Sequence, residues 1–534
     1  MFMPGYSRPM LWLLALAAYA GSSDLWGLTG EDWDPVGRLP DFSWAGYHAG
    51  EAPIPEVAVV ADVRDFGAVG DGETDDTAAF RAALAATSGG ALLVPEGTYL
   101  LTDVLEVDHG DLVIRGEGPE RTVLFIDRSL TDVRGERPQW SWEGGFLWVQ
   151  PTEAGTEEAA VTVSAVRGDR VLEVDDASAF SAGDWMVLRL TDDGPGTLGM
   201  HLHNDQAGGG TCTWQDPIVF RWPVRIAAVE GNAITLAQPM RLDVRLEWSP
   251  VLWSMPAVEE VGVESLRIRF PDVPYAGHLL EPGYNAIYFT QGVRNAWVRD
   301  VAIENADNGI LTASLTKQVT VSDLRLEGRK GHHGLNIAHT ADGLFQDLQF
   351  EMSWMHEITV DHHSNGNVFK RVSSLDVLVA LDHHRDAPFE NLFTDFSAEI
   401  SWLHGGSWCA GPPSGARETF WNLPGPLPPP YFGYIQTNVV GDLTEEDLFT
   451  EDAEWYENVA NLVPADLHQA QLDRRLGIIP VEPEEEDDPG ACGCDAVGTA
   501  GATVVLWGPI GWLGWRRRRR PEAGDRRGGV GILC

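Results

Sequence analysis

Short alternations of apolar and polar residues recur at a nearly constant interval through the middle of the chain. Apolar anchors stand at Leu324, Leu348, Val372 and Phe396, a step of 24 residues, and Val301 precedes the first by 23. The two-residue alternation predicts β-strands, and the Gly, Asn and Asp residues that end each unit predict turns. Repeats of this length without a long helical pattern predict stacked β-coils, each of which buries its face against its neighbours.

The entrance to the repeats carries a distinctive motif. Residues 65–72 read DFGAVGDG, Asp75-Asp76-Thr77 follows, and a short helix is predicted through Leu84. Over residues 60–126 this resembles the N-terminal signature of the pectate-lyase-like superfamily. The resemblance implies an all-β fold, a right-handed single-stranded parallel β-helix, with the helix closing its open end. It leaves the activity open, because this entrance recurs in lyases, hydrolases, epimerases and phage adhesins.

The other patterns divide the chain. Residues 160–250 break the rhythm of the coils and read as antiparallel strands joined by Gly-containing turns, which predicts an inserted β-rich subdomain. The predicted organisation is a signal peptide (1–20), a cap with the first coils (57–140), the inserted subdomain (141–255), the main coils (256–423), a proline-rich spacer with a C-terminal helical segment (424–479), an acidic linker (480–491), a sorting signal (492–520) and a tail (521–534).

Both ends read as targeting signals. An apolar run at 11–20 follows Arg8 and ends in Ala-Tyr-Ala, the pattern of a cleaved signal peptide. Residues 492–520, a Cys-Gly-Cys, an apolar span and five arginines, resemble the C-terminal sorting signals of myxobacteria. That resemblance implies a secreted protein displayed on the cell surface after processing near Cys494; a retained single-pass anchor is the alternative. The intact mass of surface-released protein tests this, and a mature chain that still carries Arg516 would contradict processing.

The charge balance excludes several partners. The formal net charge is -43, from 80 acidic and 37 basic residues. Such a field repels nucleic acid and anionic membrane surfaces, so membrane contact is expected only through the C-terminal segment, and a monomer is expected. Five cysteines are too few for a disulfide framework, and a Cys212–Cys409 pairing stays open.

Histidines are concentrated on a few coils: nine of the 15 lie within residues 332–404. Aligning 358–363 with 379–384 pairs Asp361 with Asp382 on successive coils and stacks the adjacent histidines in a column. His332, His356 and His404 share the 24-residue step and form a second column. The predicted catalytic residues are Asp361, Asp382, His356, His362, His363, His383, His384 and Arg385.

Three interpretations of this cluster compete. Carboxylates and imidazoles on neighbouring coils suit general acid–base catalysis, with one carboxyl pKa raised. The same residue types suit a divalent metal, although no ligand set is assigned and the cofactor is left unknown. Like side chains also stack into purely structural ladders, but the concentration of His and Asp favours function for the cluster as a whole.

Residues around the cluster are predicted to bind substrate. Trp offers an apolar face to a sugar ring, and Arg and Glu offer charged forks to hydroxyl or carboxylate groups. The predicted substrate-binding residues are Lys330, His332, His333, His339, His404, Trp408, Arg417 and Glu418.

The predicted function is therefore to bind an extracellular polysaccharide and to cleave it, as a polysaccharide lyase or a glycoside hydrolase. The alternative is a non-catalytic glycan-binding adhesin. The catalytic patterns of pectate lyases and polygalacturonases do not transfer residue by residue. Uronate lyases elsewhere use Lys–Arg or His–Tyr pairs, so Lys330, Arg385 and the histidines keep β-elimination open.

Overall fold

The computed structural model describes residues 21–152, 155–194, 196–206, 217–375, 378–398, 400–403, 412–423, 435–442 and 455–478. The predicted signal peptide, proline run, acidic linker, sorting signal and tail lie outside these ranges, as do His404, Trp408 and every cysteine. No helix within the described ranges is long and apolar enough to cross a bilayer.

The body is the predicted right-handed parallel β-helix. Each full coil passes through a long sheet, then a sheet that we call the groove sheet, then a short sheet, and returns to the long sheet. One coil shows the order: Thr320–Glu327, His333–Ala338, Thr340–Ala341 and then Leu344–Phe350 of the next coil. Neighbouring strands in all three sheets are parallel, because each is one turn of the same winding.

The three sheets are built from the following strands. The long sheet contains Val59–Asp62, Asp71–Asp75, Gly90–Leu93, Gly97–Leu101, Leu112–Arg115, Thr122–Ile126, Val261–Arg269, Trp297–Glu304, Thr320–Glu327, Leu344–Phe350, Val368–Ser374, Leu392–Phe396, Thr419–Trp421, Asn438–Gly441 and Trp455–Asn458. The groove sheet contains Leu105–Val107, Leu147–Val149, Asn285–Phe289, Asn308–Thr312, His333–Ala338, His356–Asp361, Val379–His383 and Ile400–Leu403. The short sheet contains Val258–Glu259, Val293–Arg294, Thr316–Lys317 and Thr340–Ala341.

The predicted 24-residue step is confirmed in the long sheet. Leu324 pairs with Leu348, Leu348 with Val372, and Val372 with Phe396, and all four side chains are buried. A second interior ladder stacks the rings of phenylalanines on successive coils at centroid distances of 5.0, 4.9 and 5.2 Å; its members are Phe345, Phe369, Phe393 and Phe420. Apolar side chains at equivalent positions of successive coils therefore stack on one another and fill the core.

A short helix closes the N-terminal end of the coils. Thr77–Ala86 begins where the Asp75 side chain accepts a hydrogen bond from the Thr77 backbone N–H, at 3.0 Å. Its apolar face buries Phe80 and Leu84 in the core of the first coils. The remaining helices are Leu130–Arg134, Thr197–Leu202 and Leu467–Leu476, with 3-10 turns at Tyr47–Gly50, Val63–Phe66, Pro138–Ser141 and Leu246–Trp248.

An antiparallel sheet interrupts the coils. It has its own core and packs through Phe220 against Phe389 of the coils, with ring centroids 6.0 Å apart. Leu147–Val149 lies inside the predicted 141–255 segment, yet it is a groove-sheet strand. The strands of the inserted sheet are Thr156–Ala160, Val171–Glu173, Trp185–Asp192, Ile218–Glu230, Ala233–Leu236 and Val251–Ser254.

A buried charge network ties the inserted sheet to the coils. Glu390, 1% exposed, accepts hydrogen bonds from Arg167, Arg241 and Arg417 at 2.9, 3.2 and 2.8 Å. Arg241 also bonds Asp342 at 2.5 Å. Arg417 was expected to bind substrate, but the structure places it in this network, because the Glu390 carboxylate is the charge it neutralises.

An N-terminal strap, residues 21–57, runs back along the coils. Gly21–Ser22 pairs in parallel with Leu462–Val463, near the C-terminal end of the solenoid. Trp26 and Phe42 are buried against the late coils, and Tyr47 meets Trp297 of an earlier coil edge to face at 5.3 Å. The strap thus bridges coils that are far apart in the sequence.

Candidate functional site

Four ionisable side chains lie where one groove-sheet strand ends. Val379–His383 carries Asp382 near its end, and the turn that follows carries His384, Arg385 and Asp386. The turn bends away from the sheet at Asp386, whose φ is 52°. The side chains of His384 and Arg385 stay partly exposed, at 28% and 27%. A buried carboxylate and two accessible cations therefore meet at one edge of the groove sheet.

Asp382 and His384 form a charged pair. Nδ1 of His384 lies 3.3 Å from Oδ2 of Asp382. Burial disfavours the charged form of His384, but the hydrogen bond to Asp382 and the charges of Asp382 and Asp361 outweigh it and raise the pKa of His384 to about 9. Burial also opposes ionisation of Asp382, and the contact with His384 keeps its pKa below the ordinary value. At neutral pH His384 is an imidazolium beside a carboxylate.

Two further carboxylates flank the ring of His362. Its Nδ1 lies 2.9 Å from Oδ2 of Asp361, and its Nε2 lies 3.7 Å from Oδ2 of Asp386. Burial raises the pKa of Asp386 to about 6. Burial acts in the same direction on Asp361, but the neighbouring His362, His384 and Arg385 lower its pKa strongly. One carboxyl group is thus ionised throughout the physiological range, and the other titrates just below neutrality.

The strand register corrects the predicted pairing of the two aspartates. Thr359 pairs with Asp382 and Val360 with His383, so Asp361 does not face Asp382 on the next coil. The predicted alignment was wrong by two residues, since these strands repeat after 23 residues rather than 21.

His383 and Glu418 lie inside the coils rather than on the groove. Both are fully buried; Nε2 of His383 is 3.6 Å from Oε2 of Glu418, and its ring packs 5.4 Å from that of Phe393. Glu418 also accepts a hydrogen bond from Nδ2 of Asn391 at 2.8 Å. The predicted catalytic role of His383 and substrate-binding role of Glu418 therefore find no support in their positions.

The histidines at the opposite end of the groove-sheet strands form a second group. His333, not His332, pairs with His356, so the predicted second column is wrong by one residue. His333 is buried, and its Nδ1 lies 2.9 Å from the side-chain oxygen Oδ1 of Asn308 on the preceding coil. The rings of His332 and His333 stack at 3.8 Å, and His278 approaches His332 at 4.8 Å.

A cavity of about 260 Å³ lies between the inserted sheet and the turns after the groove sheet. Trp253 and Arg221 line it from the inserted sheet, and His339 lines it from the coils. The His339 ring stacks on that of His362 at 4.7 Å, and the backbone N–H of His362 bonds the carbonyl of Arg385 on the next coil at 3.1 Å. His362 therefore links the histidine that lines the cavity to the charged turn.

The cavity wall is cationic in a strongly acidic protein. Arg221 pairs with Arg189 across the inserted sheet, and burial together with Arg189 lowers the pKa of Arg221. Within the described ranges, neither arginine has a carboxylate partner. Arg189 lies over the Trp253 ring at 5.4 Å. The cavity is thus lined by the Trp253 ring and the guanidinium of Arg221, with Arg189 packed on that ring.

The other predicted residues have varied surroundings. Lys330 is exposed, and His363 is buried near the ring of Phe220, at a centroid distance of 5.9 Å. Burial raises the pKa of the neighbouring Glu357 to about 7, but its two oxygens accept backbone N–H groups of Trp354 and Ala380. We interpret Glu357 as structural.

Several residues of the site escaped the sequence reasoning. Asp386 directly follows Arg385 and is not among the residues predicted from the sequence. His278 lies outside the histidine-rich span, and Arg221 and Trp253 belong to the inserted sheet. The only available signal was the Asp-His-His-Arg-Asp run, in which the last Asp follows the motif closely enough to share its turn.

Comparison with known proteins bears on the N-terminal part of the chain. Residues 60–134 match the family model described as rhamnogalacturonase A/epimerase, pectate lyase-like. This segment is therefore similar to the pectate-lyase-like family. It coincides with the region in which the sequence resembled that superfamily.

Curated relatives share a segment of similar size. Alginate lyase 7 of Azotobacter vinelandii is 38% identical over 85 residues, 14% of this chain and 10% of that protein. The mannuronan C5-epimerase AlgE5 of the same organism is 39% identical over 84 residues, 14% of this chain and 8% of that protein. The chain thus spans a tenth or less of the length of these relatives.

Solved structures resemble the chain over a longer stretch at low identity. The Gp54 tailspike of Acinetobacter baumannii bacteriophage AP22, solved in complex with capsular saccharide, is 11% identical, with 76% of this chain and 69% of that chain covered and a TM-score of 0.37. An exopolygalacturonase from Thermotoga maritima is 11% identical, with 77% and 82% covered and a TM-score of 0.30.

Proposed function

We propose that the protein cleaves an extracellular polysaccharide, with His384 as general acid and Asp386 as general base. The observation that carries the proposal is the turn in which Nδ1 of His384 lies 3.3 Å from Oδ2 of Asp382 and the buried carboxyl of Asp386 follows Arg385; these surroundings raise the pKa of His384 to about 9 and that of Asp386 to about 6. Groups whose surroundings push their pKa values apart supply the acid and the base of a reaction near neutral pH. The similarity of the N-terminal segment to an alginate lyase and to mannuronan epimerases supports a polysaccharide as the substrate.

His384, Arg385 and Asp386 can perform either cleavage reaction, hydrolysis or β-elimination. In hydrolysis, Asp386 takes a proton from the attacking water while His384 donates its proton to the glycosidic oxygen that leaves. In β-elimination, Asp386 takes the proton next to a uronate carboxylate, Arg385 neutralises that carboxylate, and His384 protonates the leaving oxygen. Asp382 acts in both by holding His384 protonated and oriented.

A substrate panel tests the proposal. The purified protein is incubated with neutral and acidic polysaccharides, and the absorbance of unsaturated uronates is followed together with new reducing ends. New absorbance establishes elimination, and reducing ends without absorbance establish hydrolysis. If neither product forms and the protein is retained on a glycan column, the result would contradict cleavage and favour a non-catalytic adhesin.

The value of kcat/KM should show a bell-shaped dependence on pH. Asp386 must be ionised to act as a base, so kcat/KM rises as the pH increases through about 6. His384 must be protonated to act as an acid, so kcat/KM falls as the pH increases through about 9. Initial rates from pH 4 to 10, each checked for retained folding, measure both limbs. A profile that is flat across either range would argue against the residue assigned to that limb.

Trp253 should contribute to substrate binding rather than to chemistry. Trp253→Ala removes an aromatic face from the cavity, and we expect KM to rise by about 5- to 20-fold, roughly 1–2 kcal/mol, with kcat little changed. The matched control is Trp185→Ala, another partly buried tryptophan of the inserted sheet that lines a different cavity. Equal effects of the two substitutions on KM would place the sugar elsewhere.

A further inference from the structure

We propose that His278, His332 and His356 form a binding site for a transition-metal ion of the zinc class. One nitrogen from each ring lies within 4.8 Å of the other two. The ring centroids are 4.8 Å apart for His278 and His332, 5.3 Å for His332 and His356, and 5.7 Å for His278 and His356. Three imidazoles thus converge on one point at the edge of the groove sheet.

The fold, rather than sequence spacing, brings these rings together. His356 begins a groove-sheet strand, and His332 immediately precedes the strand of the preceding coil. His278 comes from the segment that leads from the long sheet into Asn285–Phe289, and it is exposed. Two ligands are therefore held by adjacent coils, and the third is free to adjust. Tetrahedral zinc ligands about 2.1 Å from the ion lie about 3.4 Å apart, a contraction that rotation of the exposed ring can supply.

The surroundings of His332 and His356 favour the uncharged imidazole. Burial, reinforced by His356 and His278, lowers the pKa of His332 to about 2, and burial also lowers the pKa of His356. Burial thus favours the neutral form of both rings, and a neutral imidazole carries a lone pair. Nδ1 of each ring is buried and faces a carboxylate oxygen without forming a well-aligned hydrogen bond.

Carboxylates stand behind both rings. Oε1 of Glu281 lies 3.4 Å from Nδ1 of His332, and Oδ2 of Asp382 lies 3.6 Å from Nδ1 of His356. Glu281 is held by hydrogen bonds that it accepts from the hydroxyls of Ser141, at 2.6 Å, and Tyr275. Anionic groups in this position orient ligating histidines and offset the cost of burying a cation.

The residue types select the ion. Imidazole nitrogens favour Zn²⁺, Co²⁺, Ni²⁺ or Cu²⁺, whereas Ca²⁺ and Mg²⁺ prefer oxygen ligands. Three protein ligands leave a fourth position for water or substrate, as in catalytic zinc sites. Asp382 contacts both His356 and His384, so the site adjoins the charged turn. Metal binding itself does not depend on the proposed function; a role for the metal in turnover does.

The test is metal binding by the full-length protein after treatment with a chelator. Co²⁺ is added while visible absorption is recorded, and Zn²⁺ affinity is measured by calorimetry in excess Mg²⁺, which occupies the acidic surface. We expect one equivalent of Co²⁺ with the intense bands of low coordination number. Loss of an outer-sphere partner costs about 10- to 100-fold in metal affinity, so His278→Ala, which removes a ligand, should weaken Zn²⁺ binding by at least about tenfold.

His109→Ala is the matched control, because His109 is a partly exposed histidine of the first coils. Its Zn²⁺ affinity should equal that of the wild type. Absence of saturable binding by the wild type, or unchanged affinity in His278→Ala, overturns the site. Cleavage at the same rate by metal-free and metal-loaded protein overturns a role in turnover while supporting the proposed function. One equivalent bound without any cleavage supports the site and counts against that function.

Discussion

His384→Gln is expected to lower kcat/KM by about 100- to 10,000-fold, the usual contribution of a positioned general acid. Glutamine keeps a side chain that can donate a hydrogen bond to Asp382, but it cannot deliver a proton to a leaving oxygen. Because His384 is partly exposed and glutamine keeps its hydrogen bond to Asp382, the variant should fold as the wild type does. Rates on the best substrate and thermal unfolding curves measure both quantities.

The pH profile separates the proposed role from a merely structural one. If His384 is the acid, the residual activity of His384→Gln loses the decline above about pH 9 and keeps the rise near pH 6. His109→Gln serves as a control for replacing a histidine outside the site. A His384→Gln enzyme with wild-type rates and an unchanged profile would remove His384 from the mechanism.

Glu390→Gln is expected to reduce the free energy of unfolding by about 3–5 kcal/mol, the cost of breaking a buried charge cluster on one side. The carboxylate is 1% exposed and neutralises Arg167, Arg241 and Arg417. The amide keeps the size of the side chain but leaves three guanidinium groups around a neutral centre. Urea unfolding of wild type and variant at pH 7 measures the difference.

The difference in unfolding free energy between the wild type and Glu390→Gln should decrease at low pH. Burial opposes ionisation of Glu390, but the three arginines lower its pKa from 4.5 to about 2 in the folded protein. A carboxyl with a depressed pKa contributes its stability above the pKa of the unfolded chain and loses it as the pH falls toward the folded value. The gap between wild type and variant should therefore narrow between about pH 4.5 and pH 2.

A surface pair supplies the control for Glu390→Gln. Asp347 bonds Arg371 at 2.6 and 2.7 Å, and both side chains are about one-third exposed. Asp347→Asn keeps a residue that tolerates the positive φ of 55° found there. Its cost should stay within about 1 kcal/mol, as for other exposed pairs. Equal costs for Asp347→Asn and Glu390→Gln would mean that the buried network contributes no more than an exposed pair does.

The coil architecture could be predicted because stacking is a relation between near neighbours. Leu324, Leu348 and Val372 pair with equivalents one coil away, so a constant step along the chain translates directly into a spatial ladder. The cap helix followed for the same reason, since Phe80 and Leu84 lie on one face of a short local element.

The register of the histidine coils was predicted wrongly because like motifs were aligned instead of strands. Two Asp-His-His runs stand 21 residues apart, whereas the backbone pairs Ile358 with Leu381 after 23. The length of each coil is set by its turns, and a turn can gain or lose two residues without disturbing the inward and outward alternation. The motif match therefore kept the correct faces and misplaced the neighbours.

The rest of the site is tertiary in origin. Arg221 and Trp253 come from a sheet inserted before the main coils, and His278 comes from a segment without a repeat pattern. Nothing in their local sequence specifies which coil they approach, because that is decided by packing between Phe220 and Phe389 and by the charges around Glu390. The repeat pattern therefore predicts the groove-sheet strands, but it does not predict which residues from other elements lie opposite them.

The N-terminal strap has a consequence for how the chain matures. Gly21 is synthesised some 440 residues before its strand partner Leu462, and closing a loop of that length costs about 5 kcal/mol in chain entropy. The coils can wind up progressively behind the cap helix, while Trp26 and Phe42 must wait for the last turns to appear. In a nascent or truncated chain the N-terminal strap therefore exposes its apolar side chains. Such a chain should depend on chaperones and remain sensitive to proteases until the final coil has been synthesised.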